Sequence, residues 1–224
     1  MARMNLTQLL QAEESETLER KAGLSDKDAI RKCLIAFAND SSNKGGGTII
    51  IGQNPDKSIC GLKVGKDEAQ QSISDLARNQ CHPSIPIKVD IFDVQEKLVA
   101  IVRVDTSISR PHFRGESYVR QGSTNRIATG AEIIALRASA VDLKVRQLLA
   151  WKLEGKNQVT CVQMQHMGVG GDIYSHSYAE LGEITDTYIV VKYNPPITVP
   201  LEDLRLGYDY QRNQPQLIFR RYVS

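Results

Sequence analysis

Three consecutive isoleucines, Ile49-Ile50-Ile51, bracketed by Gly45-Gly46-Gly47 and Gly52, constrain the fold more than any other stretch. A short β-branched run with no polar alternation suits a strand covered on both faces, so the chain must build layers above and below a sheet. The glycines are not a nucleotide loop: no Gly-Lys-Ser/Thr follows them, and they precede a strand instead of a helix. A tight loop that admits close backbone packing accounts for them better.

One covering layer is legible just upstream. Ser25-Asp26-Lys27-Asp28 is a helix start with Ser25 as N-cap, and Ala29, Ile30, Cys33, Leu34, Phe37 and Ala38 follow as one buried stripe. Leu6, Leu9 and Leu10 give a short amphipathic helix over 5–13, and 17–22 reads as a strand in which Glu19 and Lys21 share one face. A second helix is predicted over 66–79, and runs at 87–92 and 98–104 form a hairpin around Gln95-Glu96-Lys97. Thr129-Gly130-Ala131-Glu132 is a capping box that opens a helix through Leu153, on which Trp151 is expected to pack two domains together. Past Gly155 short alternating runs predict a small antiparallel, barrel-like β domain, with 199–204 as the helical turn that closes an SH3-like or OB-like barrel. The expected class is α+β, with a mixed α/β unit over 1–138 followed by a linking helix and all-β domain over 139–224.

With 41% hydrophobic and 24% charged residues, such a chain folds without disulfides or a structural metal. No apolar stretch approaches the length of a membrane span and the start lacks a signal-peptide core, so the expectation is a cytoplasmic protein with no membrane partner. Cysteines at 33, 60, 81 and 161 form no CxxC pair and read as four buried thiols. The net charge is only +2, but from Lys97 to Arg126 six basic residues face Asp105 and Glu116 alone, a local excess of four. Arg110, Arg114, Arg120 and Arg126 are able to line one groove and fork onto phosphates, with His112 among them; Phe113 and Tyr118 fit either base stacking or the core. His82 reads as a turn histidine, and His166 and His176 as isolated in the β domain. Residues 141–224 are neutral, with nine basic and nine acidic groups.

Five stretches in order carry a resemblance: Glu14 to Lys21; Ile35-Ala36-Phe37-Ala38-Asn39; Gly46 to Gly52; Gly61-Leu62; and Arg110-Pro111-His112 followed by Tyr118 to Thr124. Together, over residues 14 to 136, they resemble the Schlafen-type AlbA-like domain. The resemblance implies a mixed α/β fold and a role in binding nucleic acid. In nuclease members it implies a three-carboxylate metal site that cuts tRNA-like RNA, carried here by Glu14, Glu19 and Asp56 as ligands of Mg²⁺ or Mn²⁺, with Lys21 neutralising charge on the phosphate. Two departures stand out: Arg20 occupies a position usually aromatic, and Gln53-Asn54-Pro55-Asp56 replaces a more acidic turn. By charge alone, Glu13 to Glu19 reads equally well as a solvated acidic helix end.

The leading expectation is a nucleic-acid-binding protein acting as a metal-dependent endoribonuclease on structured RNA, in preference to duplex DNA. The alternatives are a non-catalytic DNA-binding module of a transcriptional regulator and a protein-interaction adaptor using the β domain, whose partner the sequence does not name. No stretch matches an ATPase module, so no ATP is expected, and a homodimer would lengthen a short groove.

Overall fold

The structure, a computed structural model, describes residues 5–166 and 172–220. Its backbone divides into two compact units, residues 1–136 and 137–224.

In the first unit the isoleucine run forms the strand β2 (Gly47–Ile51), which lies between β1 (Leu18–Lys21) and β4 (Lys97–Val104), with β3 (Ile87–Val94) at the edge. The β1–β2 pair is parallel and the other two pairs are antiparallel. Successive side chains point to opposite faces, and both faces are covered as expected. Ile49 and Ile51 pack with Phe37, Leu34 and Ile30 of α2 (Lys27–Asn39) and with Ile73 and Leu76 of α3 (Lys66–Asn79), whereas Ile50 packs with Leu10 of α1 (Leu6–Gln11), Leu18 and Ile101. Each core isoleucine is fully buried, a gain of about 1.5–3 kcal/mol apiece before entropy is counted.

The local signals are mostly where periodicity puts them. Gln95 and Glu96 both take positive φ and join β3 to β4 through a two-residue turn that suits strand twist. The N-cap of α2 is Asp26, one residue later than expected; its carboxylate accepts the Ala29 amide at 2.9 Å. A second hairpin, β5 (Tyr118–Gln121) and β6 (Thr124–Ile127), closes the unit.

The glycine loop is organised by Asp40, the left-handed C-cap of α2. Its carboxylate accepts the amides of Lys44, Gly45 and Gly46 at 2.8, 2.9 and 3.2 Å, and also the Thr106 hydroxyl. The concavity of N–H groups that could hold an anion is thus filled by the chain's own carboxylate.

The helix α4 (Gly130–Leu153) opens with the expected capping box: the Glu132 amide donates to Thr129 Oγ1 at 3.3 Å and the Thr129 amide to Glu132 Oε2 at 2.8 Å. In the second unit Leu148 and Trp151 of α4 pack on the sheet residues Val159, Cys161, Leu181, Val191 and Phe219. Trp151 therefore belongs to the core of this unit. The sheet has the order β10 (Ile197–Pro200), β9 (Tyr188–Lys192), β8 (Asp172–Ile184), β7 (Gln158–His166), β12 (Gln214–Arg220), β11 (Arg205–Asp209).

Three expectations are corrected here. The sheet is mixed, because β12 runs parallel to β7, and among the described residues no pairing closes β10 onto β11 into a barrel. Val199 and Pro200 lie in β10, and only 201–203 form a turn. Of the four free thiols, Cys33, Cys81 and Cys161 are buried as expected but Cys60 is exposed. No described helix is long and apolar enough to cross a membrane.

Candidate nucleic-acid interface

The parallel pairing of β1 with β2 turns Glu19 and Lys21 to the face shared with Ile49 and Ile51, under α2. There Glu19 is 7% exposed and both carboxylate oxygens are engaged: Oε1 accepts Lys21 Nζ at 2.7 Å and Oε2 accepts Arg120 at 2.7 Å. Arg120, itself buried, also donates to the Ser15 carbonyl at 2.6 Å and to Asn125 Oδ1 at 3.0 Å, and its guanidinium stacks 5.0 Å from the centroid of Phe37. Burial works to lower the Lys21 pKa, but the hydrogen bond it donates to Glu19 and the fields of Cys33, Glu19 and Glu14 prevail and hold it above the ordinary lysine value. Glu14 sits close enough to act on Lys21, and its Oε1 accepts the Arg20 amide at 2.8 Å.

Asp56 is held apart from this group. It is exposed in its own turn, where Oδ1 accepts the Ser58 amide at 2.9 Å and the Ser58 hydroxyl at 2.6 Å; those bonds lower its pKa. Among the described residues no group of three or more His, Cys, Asp or Glu is placed to hold a metal ion. The hollow that reaches Arg120 from Glu16 and Asp40 holds about 10 Å³, room for about one water. Glu14, Glu19 and Asp56 therefore do not fit a shared Mg²⁺ or Mn²⁺ here, because Glu19 is already neutralised by two cations and Asp56 serves a turn.

Arg20, the departure from an aromatic, is explained by the other sheet face. Its buried guanidinium donates to Gln53 Oε1 at 3.0 Å and to the carbonyls of Leu10 and Ala12, which end α1 and carry the negative end of its peptide dipoles.

The five basic candidates separate by burial. Arg110 is 4% exposed and donates to the carbonyls of Asn39 and Asp40 at 2.8 and 3.1 Å, capping the end of α2. His112 is fully buried: its amide donates to Asn39 Oδ1 at 2.6 Å, and its Nδ1 lies 2.7 Å from the Pro83 carbonyl. Arg120 is committed to Glu19, and Arg126 forks onto Glu132 at 2.8 and 2.5 Å, which holds that carboxyl at about 2. Arg110, His112 and Arg120 are thus engaged inside the fold and do not line the expected phosphate groove, whereas Arg126, its side chain 39% exposed, pairs with Glu132 at the surface.

Arg114 is exposed, next to Phe113 at 44% exposure. Phe113 pairs through its backbone with His82, also exposed, and their rings lie 6.3 Å apart. Tyr118 is half-buried, with its hydroxyl on Glu116 and Lys32 over its ring. The surface thus offers two aromatic rings and one arginine side by side, set outward because Arg110 and His112 pin the residues before them.

A family model described as Schlafen, AlbA_2 matches residues 14–129, slightly more than half of the chain. The chain belongs to the Schlafen AlbA_2 family. Membership associates the first unit with nucleic acid. A Corynebacterium diphtheriae protein of known crystal structure is similar to this chain at 14% identity and a TM-score of 0.42, over 78% of this chain and 43% of its own. The N-terminal domain of a Nitrosomonas europaea protein, named as related to the ATP-dependent DNA helicase RecG, is similar at 21% identity and a TM-score of 0.42, over 57% of this chain and 92% of that domain. The chain thus spans less than half the length of the first of these. No curated protein matches it.

In this Schlafen AlbA_2 domain the residue that pattern reading passed over is Asn39, buried at the end of α2. Its Nδ2 reaches the His112 carbonyl, Ser117 Oγ and the Tyr118 carbonyl at 3.2, 3.0 and 2.8 Å. A polar side chain closing an apolar helical stripe was the only available signal, since such a group buried needs partners.

The burial of His112 has a pH consequence. A carbonyl only accepts, so Nδ1 carries the proton and Nε2 is bare and buried, without a partner among the described residues. Burial lowers the pKa from 6.5 to about 4, outweighing the Pro83 bond. The folded value lies below the unfolded one, so the contribution is complete above pH 6.5 and is lost as pH falls toward 4, by about 3 kcal/mol in all. Urea unfolding of wild type and His112→Asn across pH 7 to 4 should show this loss in the wild type only. Parallel pH dependences would refute the buried neutral imidazole.

Proposed function

We propose that the chain is a non-catalytic nucleic-acid-binding module that holds structured RNA at unpaired bases. The observation that carries this reading is the outward surface of Phe113, Arg114 and His82, locked from beneath by Arg110, His112 and Asn39. An exposed ring offers a stacking face to any unpaired base, and an arginine beside it forks onto the adjoining phosphate. Hairpin loops and single-stranded ends of RNA present such bases, whereas duplex DNA keeps its bases stacked. The non-catalytic reading is supported by the use of Glu19, whose two carboxylate oxygens are each already engaged by a cation of the chain itself, Lys21 and Arg120.

The test is fluorescence anisotropy of the full chain against labelled tRNA and a duplex DNA of equal length. Phe113→Ala should weaken tRNA binding about tenfold, the loss of one stacked base. Arg114→Gln should weaken it at low salt and reduce the slope of log K against log salt by about one contact, 0.7 to 0.9. Affinity within twofold of wild type for both variants would sink the assignment of this surface, and tighter binding to the duplex would favour the DNA-binding alternative.

A further inference from the structure

We infer that the outer face of the second unit's sheet is a binding site for single-stranded nucleic acid. It lies outside residues 14–129, the part of the chain the family model covers. The inference extends the reading above to the second unit and rests on it for the class of ligand.

The register defines the face. Residues paired across neighbouring strands share a side of the sheet, so the rows are Arg220, Met164 and Tyr174; then Arg205, Ile218, Val162 and His176; then Gln216, Thr160 and Tyr178. The alternate residues, Val159, Cys161, Ala179, Leu217 and Phe219, form the opposite, inner face and pack with α4. The residues of α4 in this unit pack on the inner face, and on the outer rows Tyr174 and Tyr178 stand 55% and 57% exposed and His176 is also exposed. An open sheet face normally fills such positions with small polar or charged residues, so a line of three rings at alternate positions of one strand calls for a ligand.

Chemistry selects the ligand. Rings two residues apart along a strand are about 6.6 Å apart, wide enough for successive bases of an extended single strand to seat on them in turn. Arg212 already lies over one side of the Tyr178 ring, 5.3 Å from its centroid, which fixes that ring. Arg212 is itself held by Asp209, and Asp209 by Thr160, so the ring sits on a braced polar network. Among the described side chains of this face Arg205, Arg212, Arg220 and Lys192 oppose Asp209, Glu180 and Glu183, four cations against three anions, although residues 141–224 as a whole are neutral. Aromatic platforms edged by arginines on an open sheet are how sequence-tolerant single-strand binding is built; a peptide would need a groove or a free strand edge instead.

The full chain is bound to a 12-nucleotide single strand carrying 5-iodouracil, irradiated, and its adducts are mapped by peptide mass spectrometry. Adducts on Tyr174, His176 or Tyr178 are expected. In parallel, Tyr174→Ala/Tyr178→Ala should weaken the anisotropy-measured affinity for the strand at least about tenfold, and Tyr174→Phe/Tyr178→Phe should recover most of that loss, because stacking needs the ring and not the hydroxyl. Adducts confined to the Phe113 region, with the alanine variant binding like wild type, would overturn this site and leave the first unit's reading intact. Adducts confined to the β8 tyrosines would support this site and count against the Phe113 surface. No adducts and unchanged affinity, as a face built for a protein partner would give, would overturn it.

Discussion

Glu19→Gln should cost about 3–5 kcal/mol of folding stability, the penalty for stranding a buried charge after its partner is removed. Arg120 is 6% exposed, and Glu19 is the only carboxylate that its guanidinium bonds among the described residues. An amide in place of the carboxylate would keep the shape but leave a buried guanidinium uncompensated, and Lys21 would lose its anion as well. For a chain of this length each kcal/mol moves the melting temperature by about 2–4 °C, so a fall of roughly 10 °C is expected by thermal circular dichroism. The double variant Glu19→Gln/Arg120→Met removes both charges and should lose clearly less than the two single losses summed. A catalytic carboxylate behaves in the opposite sense: removing a strained functional group leaves stability unchanged or raises it. A Glu19→Gln protein as stable as wild type would therefore contradict the structural role assigned to this residue.

Gly46→Ala should destabilise the first unit by at least about 3 kcal/mol, the sum of backbone strain and overpacking. Gly46 has a φ of +87°, a region that side chains avoid, and a Cβ there would collide with the Val104 carbonyl oxygen and approach the Asp105 backbone to 2.9 Å. Backbone cannot rotate aside as a side chain can. The Asp40 carboxylate that holds the Lys44, Gly45 and Gly46 amides would have to move with it, and Arg110 caps the same turn through the Asp40 carbonyl. Gly45→Ala is the control, because its φ of +92° carries the same strain but its Cβ meets nothing within 4 Å. The difference between the two variants isolates the collision. Equal unfolding midpoints in urea would mean that the loop is looser than these contacts require.

What the sequence disclosed was local. The isoleucine run, the stripe of α2, the hairpin of β3 and β4 and the Thr129–Glu132 box all depend on neighbours within a few residues, and each stands where periodicity puts it. The fate of the arginines could not be read that way. Arg110, His112 and Arg120 look like part of a basic surface in a short window of sequence, but their partners are Asn39, Asp40 and Glu19, 70 to 101 positions away. Burial by a distant partner converts an expected ligand contact into an internal bond, whereas Arg114 stays exposed. The same limit explains the second unit: short strands were visible, but the parallel pairing of β12 with β7 joins segments more than 50 residues apart and leaves no local mark. The tyrosine line on β8 was not singled out in the sequence, where His176 read as isolated, and it acquires meaning only once the register shows which face it occupies.

The most direct test is a denaturing gel of tRNA incubated with the full chain in Mn²⁺, Mg²⁺ or EDTA, with anisotropy recorded on the same samples. Saturable binding that persists in EDTA and leaves the tRNA intact in every lane is the expected result. Discrete fragments that appear with the metal and vanish in EDTA would contradict a binding module that does not cut.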